Sequence, residues 1–250
     1  MLTGSLLAAS VLFVVSIGTA LLSTATGMGG GVLFFLTILH FFPLAVTIPI
    51  HGFVQMFANI MRTFSLRTHL RRAMCAPYLV GAVAGVLCVL QVLEHVQNDI
   101  IPYSIILTLI IYSVFKPSRM PDLKIPLWSF GIVGFFAGFL AILIGAVDPF
   151  LSPFFIRDDF TKEEVVANKS FMQAVIHVAK VPVFLHMGFS YGEHALVIAL
   201  LIAGSFLGIF FGVRALSKIN RRVFLISFKT ILFLVGIRIS VRLFTLVTQG

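Results

Sequence analysis

Apolar stretches of near-bilayer length follow one another from Leu6 to Val247, and the joints between them are short. A helix that crosses a bilayer needs about 20 apolar residues, so the chain has room for about six to eight spans and no separate soluble domain. Only 18 Lys and Arg and 9 Asp and Glu are spread over 250 residues. A soluble surface is ~25–35% charged, and 27 charges cannot dress one of this size. The fold class that follows is all-α: a polytopic transmembrane helical bundle lodged in a lipid bilayer.

The net charge of +9 has a membrane reading rather than a nucleic-acid one. The cations gather in the joints at 62–72, 116–125 and 214–222, which the positive-inside rule places in the cytoplasm. The turns at 94–99 and 188–194 are not basic and are expected outside. The first span, Leu6–Leu22, lacks a basic leader and reads as a retained helix rather than a cleaved signal. Cys75 and Cys88 share one apolar stretch without metal-ligand spacing, so neither a metal nor a disulfide is expected. No phosphate-binding loop, nucleophile elbow or zinc motif is present. Asp158, Asp159, Glu163 and Glu164 sit beside Arg157 and Lys162 as a solvated turn, not as paired catalytic carboxylates. The expectation is a non-enzyme without a cofactor.

The second half restates the first. At an offset of 118 residues Gly27 falls on Gly145, Phe53 on Phe171, Gln55 on Gln173 and Arg62 on Lys180. An insertion of about five residues near 189–193 then brings Gly81 onto Gly204 and Gly85 onto Gly208. Each half runs span, helix break, short apolar piece, polar helix, two spans. The reading is two homologous membrane repeats, 5–115 and 126–247, joined by a basic cytoplasmic linker at 116–125. The loop charges favour an inverted pair, with broken or re-entrant helices at the breaks.

Polar residues concentrate in two ladders. His51, Gln55, Asn59 and Arg62 are spaced 0, 4, 8 and 11, and Lys169, Gln173, His177 and Lys180 repeat that spacing. On a helix this spacing makes one polar stripe. A Lys or Arg at mid-membrane costs ~2.5–3.5 kcal/mol on insertion scales, so the stripes are expected to face each other or an aqueous cavity. Interhelical glue explains Gln55 and Gln173 well. It explains Lys169, His177 and Lys180 on one face poorly.

The breaks supply the rest of a candidate site. Gly29-Gly30-Gly31 interrupts apolar sequence, and irregular backbone at membrane depth survives only where protein or a cavity covers it. A helix restarting after such a break points free N–H groups into the gap. Paired breaks in two halves mark a transporter binding site, with one half rocking against the other. The donors gathered in this way suit a small anion. Asp148 is the acid placed in apolar sequence. It could carry a proton, pair with Lys169 or Lys180, or cap the helix that opens at Pro149. His177 is the other proton-coupling candidate.

Gly27-Met28-Gly29-Gly30-Gly31-Val32-Leu33, the turn at Pro43 and the polar helix with Asn59 resemble the TauE/SafE family of sulfite and organosulfonate exporters. The resemblance runs from about residue 10 to 245, and the second half departs from it at Gly145-Ala146-Val147-Asp148-Pro149 and at His177. It implies export of a small sulfur oxyanion, such as sulfite or a sulfonate, across a bacterial inner membrane. The residues alone leave other small anions open. They also leave a non-transporting membrane interaction protein, a channel and homo-oligomerisation open.

Overall fold

The computed structural model describes residues 6–92, 100–115, 124–144 and 147–249. Ten α-helices occupy these residues, with no strand among them. In chain order they are α1 (Leu6–Thr26), α2 (Gly30–Phe41), α3 (Leu44–Ser65), α4 (Arg72–Val92) and α5 (Ile100–Phe115). There follow α6 (Phe130–Ile144), α7 (Asp148–Leu151), α8 (Lys162–His186), α9 (Ala195–Lys218) and α10 (Arg221–Gln249). Four helical stretches are long and apolar enough to cross a membrane: Ala8–Thr26, Arg72–Gln91, Gly192–Lys218 and Arg221–Thr248. These four are counted among the described residues. The helix α2 and parts of α5 and α6 are apolar but shorter, and the polar ladders fall in α3 and α8. The acidic turn with Glu94, His95, Asn98 and Asp99, the linker at 116–123, and Gly145 and Ala146 lie outside the described residues.

Two compact units divide the helices. The first holds 1–70 and 162–220, that is α1, α2, α3, α8 and α9. The second holds 71–161 and 221–250, that is α4 to α7 and α10. Each unit therefore draws helices from both halves of the sequence.

Some helix starts coincide under the offsets. Adding 118 to Gly30 and Leu44 gives 148 and 162, the starts of α7 and α8. Adding 123 to Arg72, the start of α4, gives 195, the start of α9.

One seam recurs in both units at matching residues. In the second unit α4 packs on α6 with Gly81 and Gly85 pressed to the chain, where a Cβ would run into the carbonyl oxygens of Gly131 and Phe135. In the first unit α9 packs on α1, and a Cβ at Gly204 or Gly208 would meet the Phe13 or Ile17 carbonyl. Phe13 plus 118 is 131, and Ile17 plus 118 is 135. Backbones can approach this closely only where the facing residue has no side chain, the small-residue packing that substitutes for a hydrophobic driving force in lipid.

The α1–α2 joint needs glycine for a different reason. Gly27 and Gly29 take φ of 76° and 88°, a left-handed backbone that costs an L-residue roughly 1–2 kcal/mol. That is the local cause of the break after Thr26.

Cations tie the helix ends within each unit. Lys162 Nζ donates to the carbonyls of Leu216, Ser217 and Ile219 at the C-terminus of α9, where the macrodipole favours positive charge. In the second unit Arg157 holds Asp159 through two bonds of 2.9 Å and donates to the Ile125 carbonyl at 3.0 Å. The Arg157 guanidinium keeps the Asp159 carboxyl below the ordinary Asp range. Arg71 also pairs with Asp159 at 3.6 Å and lies over the Phe160 ring.

Asp148 differs by one position from the expected cap. Val147 is the N-cap of α7, no side-chain capping bond is made, and Asp148 is the first helical residue with Pro149 second. Proline needs no amide donor in a first turn, so the Asp-Pro pair shifts inward by one residue at no hydrogen-bond cost.

Candidate functional site

The two ladders come together inside the first unit, because α3 and α8 pack on each other. Both helices are built to carry polar stripes. Pro43 caps α3 in extended conformation and ends the preceding turn. Glu163 and Glu164 occupy the first turn of α8, where the helix dipole stabilises acids.

Most of both ladders is buried. His51 is 9% exposed, Asn59 1%, Arg62 3%, Lys169 2% and Lys180 3%. Gln55, Gln173 and His177 are partly buried. Among the residues of this unit the acids are Glu163, Glu164 and Glu193, at the start of α8 and in the 3₁₀ turn before α9. The buried interior of the ladders thus carries cations and neutral polar groups.

The first members of the two ladders hold the glycine break from both ends. Lys169 Nζ donates to the Gly27 carbonyl at 2.8 Å. His51 Nε2 lies 3.1 Å from the Gly31 carbonyl. A carbonyl only accepts, so this nitrogen carries the proton and the neutral ring keeps Nδ1 bare. Gly29 is the N-cap of α2, and Gly30 opens the helix against α1, where a Cβ would strike the Thr19 carbonyl. At Gly31 a Cβ would stand 3.3 Å from Gln55 Nε2. The break, His51 and Gln55 are therefore one neighbourhood, with the first N–H groups of α2 beside it.

Further along, Arg62 is gripped by neutral acceptors from three helices. Nε donates to Thr24 Oγ1 at 2.9 Å, and Nη1 to Asn59 Oδ1 at 2.7 Å and to Ser170 Oγ at 3.4 Å. Across the same helix pair the His51 and His177 rings stand 6.1 Å apart, nearly perpendicular. Phe34 and Phe35 pack on His51 from α2, with ring centroids 5.8 Å and 5.3 Å away. Lys180, three residues on from His177, acts electrostatically on both imidazoles. The Nδ1 atom of His177 is buried and meets no hydrogen-bonding partner among the described residues.

The structure thus gathers Gly29, Gly30, Gly31, His51, Gln55, Asn59, Arg62, Lys169, Gln173, His177 and Lys180 in one unit. Asp148 lies in the other unit, at the start of α7. Sequence reasoning missed Thr24, Ser170 and Gly52. Thr24 hid among the small residues before the break. Ser170 and Gly52 occupy matching positions (52 plus 118 is 170), and the repeat could have drawn attention to them.

The sequence profile of the sulfite exporter TauE/SafE family matches residues 12–239. The chain belongs to this family. No curated protein and no solved structure matches the chain. Family membership makes it a membrane transport protein for a small anion, in keeping with its apolar helices. No group of three or more His, Cys, Asp or Glu suited to a metal occurs among the described residues.

Proposed function

We propose that the chain is a secondary transporter that exports a small sulfur oxyanion, sulfite or an organosulfonate, across a bacterial inner membrane. The observation that carries this reading is the meeting of the two ladders along α3 and α8, with Arg62, Lys169 and Lys180 buried, the His51 and His177 rings in contact, and Lys169 and His51 at the glycine break. Arg62 and Lys169 among neutral acceptors, and Lys180 beside the imidazoles, add positive charge to a region where backbone N–H groups, Gln55 and the imidazoles can orient oxygens. The substrate set is Gly29, Gly30, Gly31, His51, Gln55, Asn59, Arg62, Lys169, Gln173, His177 and Lys180. His177 and Asp148 are the groups proposed to move a proton with the anion.

The chain is further proposed to be an inverted duplication of 5–115 and 126–247 around a cytoplasmic linker at 116–125. The coincident helix starts and the recurrent glycine seam support the duplication. In this reading the repeats exchange helices between units, since α1 seats on α9 and α6 on α4.

The test is thermal stability of the purified chain in detergent against sulfite, thiosulfate, sulfate, sulfoacetate, taurine and chloride. A ligand at about 100 times its dissociation constant adds ~2.7 kcal/mol to the folded state. Stabilisation by a sulfur oxyanion well above chloride is expected. A response to none of them, together with no flux in vesicles, refutes the reading and leaves the ladders as interhelical glue.

A further inference from the structure

The two ladders occupy counterpart positions, yet the corners they form are not alike. In one corner Asn59 and Arg62 of α3 face Ser170 of α8, whose hydroxyl accepts from Arg62 Nη1. The counterpart corner sets His177 and Lys180 of α8 against residue 52 of α3, since 59, 62 and 170 become 177, 180 and 52 under the offset. Residue 52 is glycine, not serine. A Cβ there would stand 3.8 Å from His177 Nδ1 and 4.0 Å from Phe184 Cε2. These are ordinary van der Waals distances, so the corner has room for a side chain that the sequence does not supply. The Nδ1 of His177 beside that position is buried and meets no hydrogen-bonding partner among the described residues. In one corner the polar atoms of Asn59, Arg62 and Ser170 bond one another, and in the other the buried Nδ1 of His177 is left unsatisfied.

We propose that the anion seats in the Gly52 corner, beside His177 and Lys180, and that the Asn59–Arg62–Ser170 corner is a structural clamp that only contributes field. The proposal rests on the anion-transport reading above and narrows its substrate set: Asn59 and Arg62 leave that set, and one seat per chain remains. His177 donates to the anion through Nδ1–H, in the tautomer or protonation state that places a proton there. Lys180 supplies the neighbouring charge, and Gly52 leaves the space. His51, on the break side, donates to the Gly31 carbonyl and holds the wall opposite. Gly52 is thus a specificity-determining position: its missing side chain sets the size of what fits.

The experiment exchanges the corners. Gly52→Ser puts a hydroxyl where Ser170 stands in the other corner, within reach of His177 Nδ1, and replaces a helix-interior glycine. Ser170→Gly opens the clamp. Gly52→Ala adds the methyl alone. The full-length chain and each variant are melted in detergent with and without sulfite. The expected result is that Gly52→Ser melts at or above the parent temperature without sulfite and binds sulfite at least 10-fold more weakly. Ser170→Gly should melt lower and keep the parent affinity within about 3-fold, because Arg62 stays held by Thr24 and Asn59. Gly52→Ala should weaken sulfite binding without a lower melting temperature.

Parent-like sulfite affinity in Gly52→Ser overturns the proposal, as does an equal loss of affinity in Ser170→Gly. Failure of both Gly52 variants to fold also overturns it, because the room beside His177 would then be absent. A parent chain that responds to no anion refutes the transport reading itself, and the seat with it. Parent binding that survives Gly52→Ser refutes the seat alone.

Discussion

Replacing Arg62 with methionine separates a clamp from a ligand. Arg62 makes two well-placed bonds, at 2.9 Å to Thr24 and 2.7 Å to Asn59, and a long one of 3.4 Å to Ser170. Hydrogen bonds to a charged group contribute ~1.5–3 kcal/mol each in soluble proteins, so the two short ones set an upper range of ~3–6 kcal/mol. Side-chain bonds between membrane helices average nearer ~0.6 kcal/mol, because partners are also found in the unfolded membrane state. Methionine recovers part of the buried volume. Thr24 keeps its own bond to the Ala20 carbonyl at 2.7 Å, so Asn59 is the main group left short of a partner. A loss of about 2–4 kcal/mol follows from these opposing terms. A kcal/mol shifts the melting temperature by roughly 2–4 °C in a chain of this size, which gives about 4–16 °C. The assay is a melt in detergent, followed by sulfite titration of the folded fraction. A methionine variant that melts within about 1 °C of the parent yet loses its sulfite response would refute the clamp and make Arg62 a direct ligand.

Other outcomes follow from the same geometry. Gly85→Val and Gly208→Val occupy counterpart seams and should each lower the melting temperature, by about 1–3 kcal/mol of overpacking or more; a harmless substitution at either position would contradict the close helix contact. Gly29→Ala should cost roughly 1–2 kcal/mol from its φ of 88°, readable in the melt. Acid should destabilise the second unit. The Asp159 carboxyl is held below its ordinary value by Arg157, so the pair stabilises fully above the unfolded value of about 4 and is lost as pH falls through the depressed one. Asp159→Asn should flatten the part of the acid limb below about pH 4.

Much of this fold was legible because membrane sequence is written in long blocks. The polar helix with the second ladder is α8, Lys162–His186, and the first span is α1, Leu6–Thr26. The ladders were legible because a charged stripe in apolar sequence has few places to go. Asp148 sat one position inside its helix rather than at the cap, a shift that depends on backbone detail no residue pattern records. Thr24, Ser170 and Gly52 were silent for a plainer reason. A small polar residue or a glycine gains meaning only when the facing helix is known, and Arg62 and His177 supply that meaning from elsewhere in the chain. That each compact unit draws helices from both halves of the chain was equally invisible, since both partners of each glycine seam read as ordinary small-residue spans.

The central claim is that the buried cations of the ladders serve an anion in transit. Lys180→Gln tests it most directly, in proteoliposomes loaded with sulfite and matched for folded protein by melting temperature and yield. The account predicts that sulfite efflux falls at least 10-fold while the folded yield stays near that of the parent. Parent-like efflux in Lys180→Gln would contradict it, and the ladder would then be a device for holding helices together.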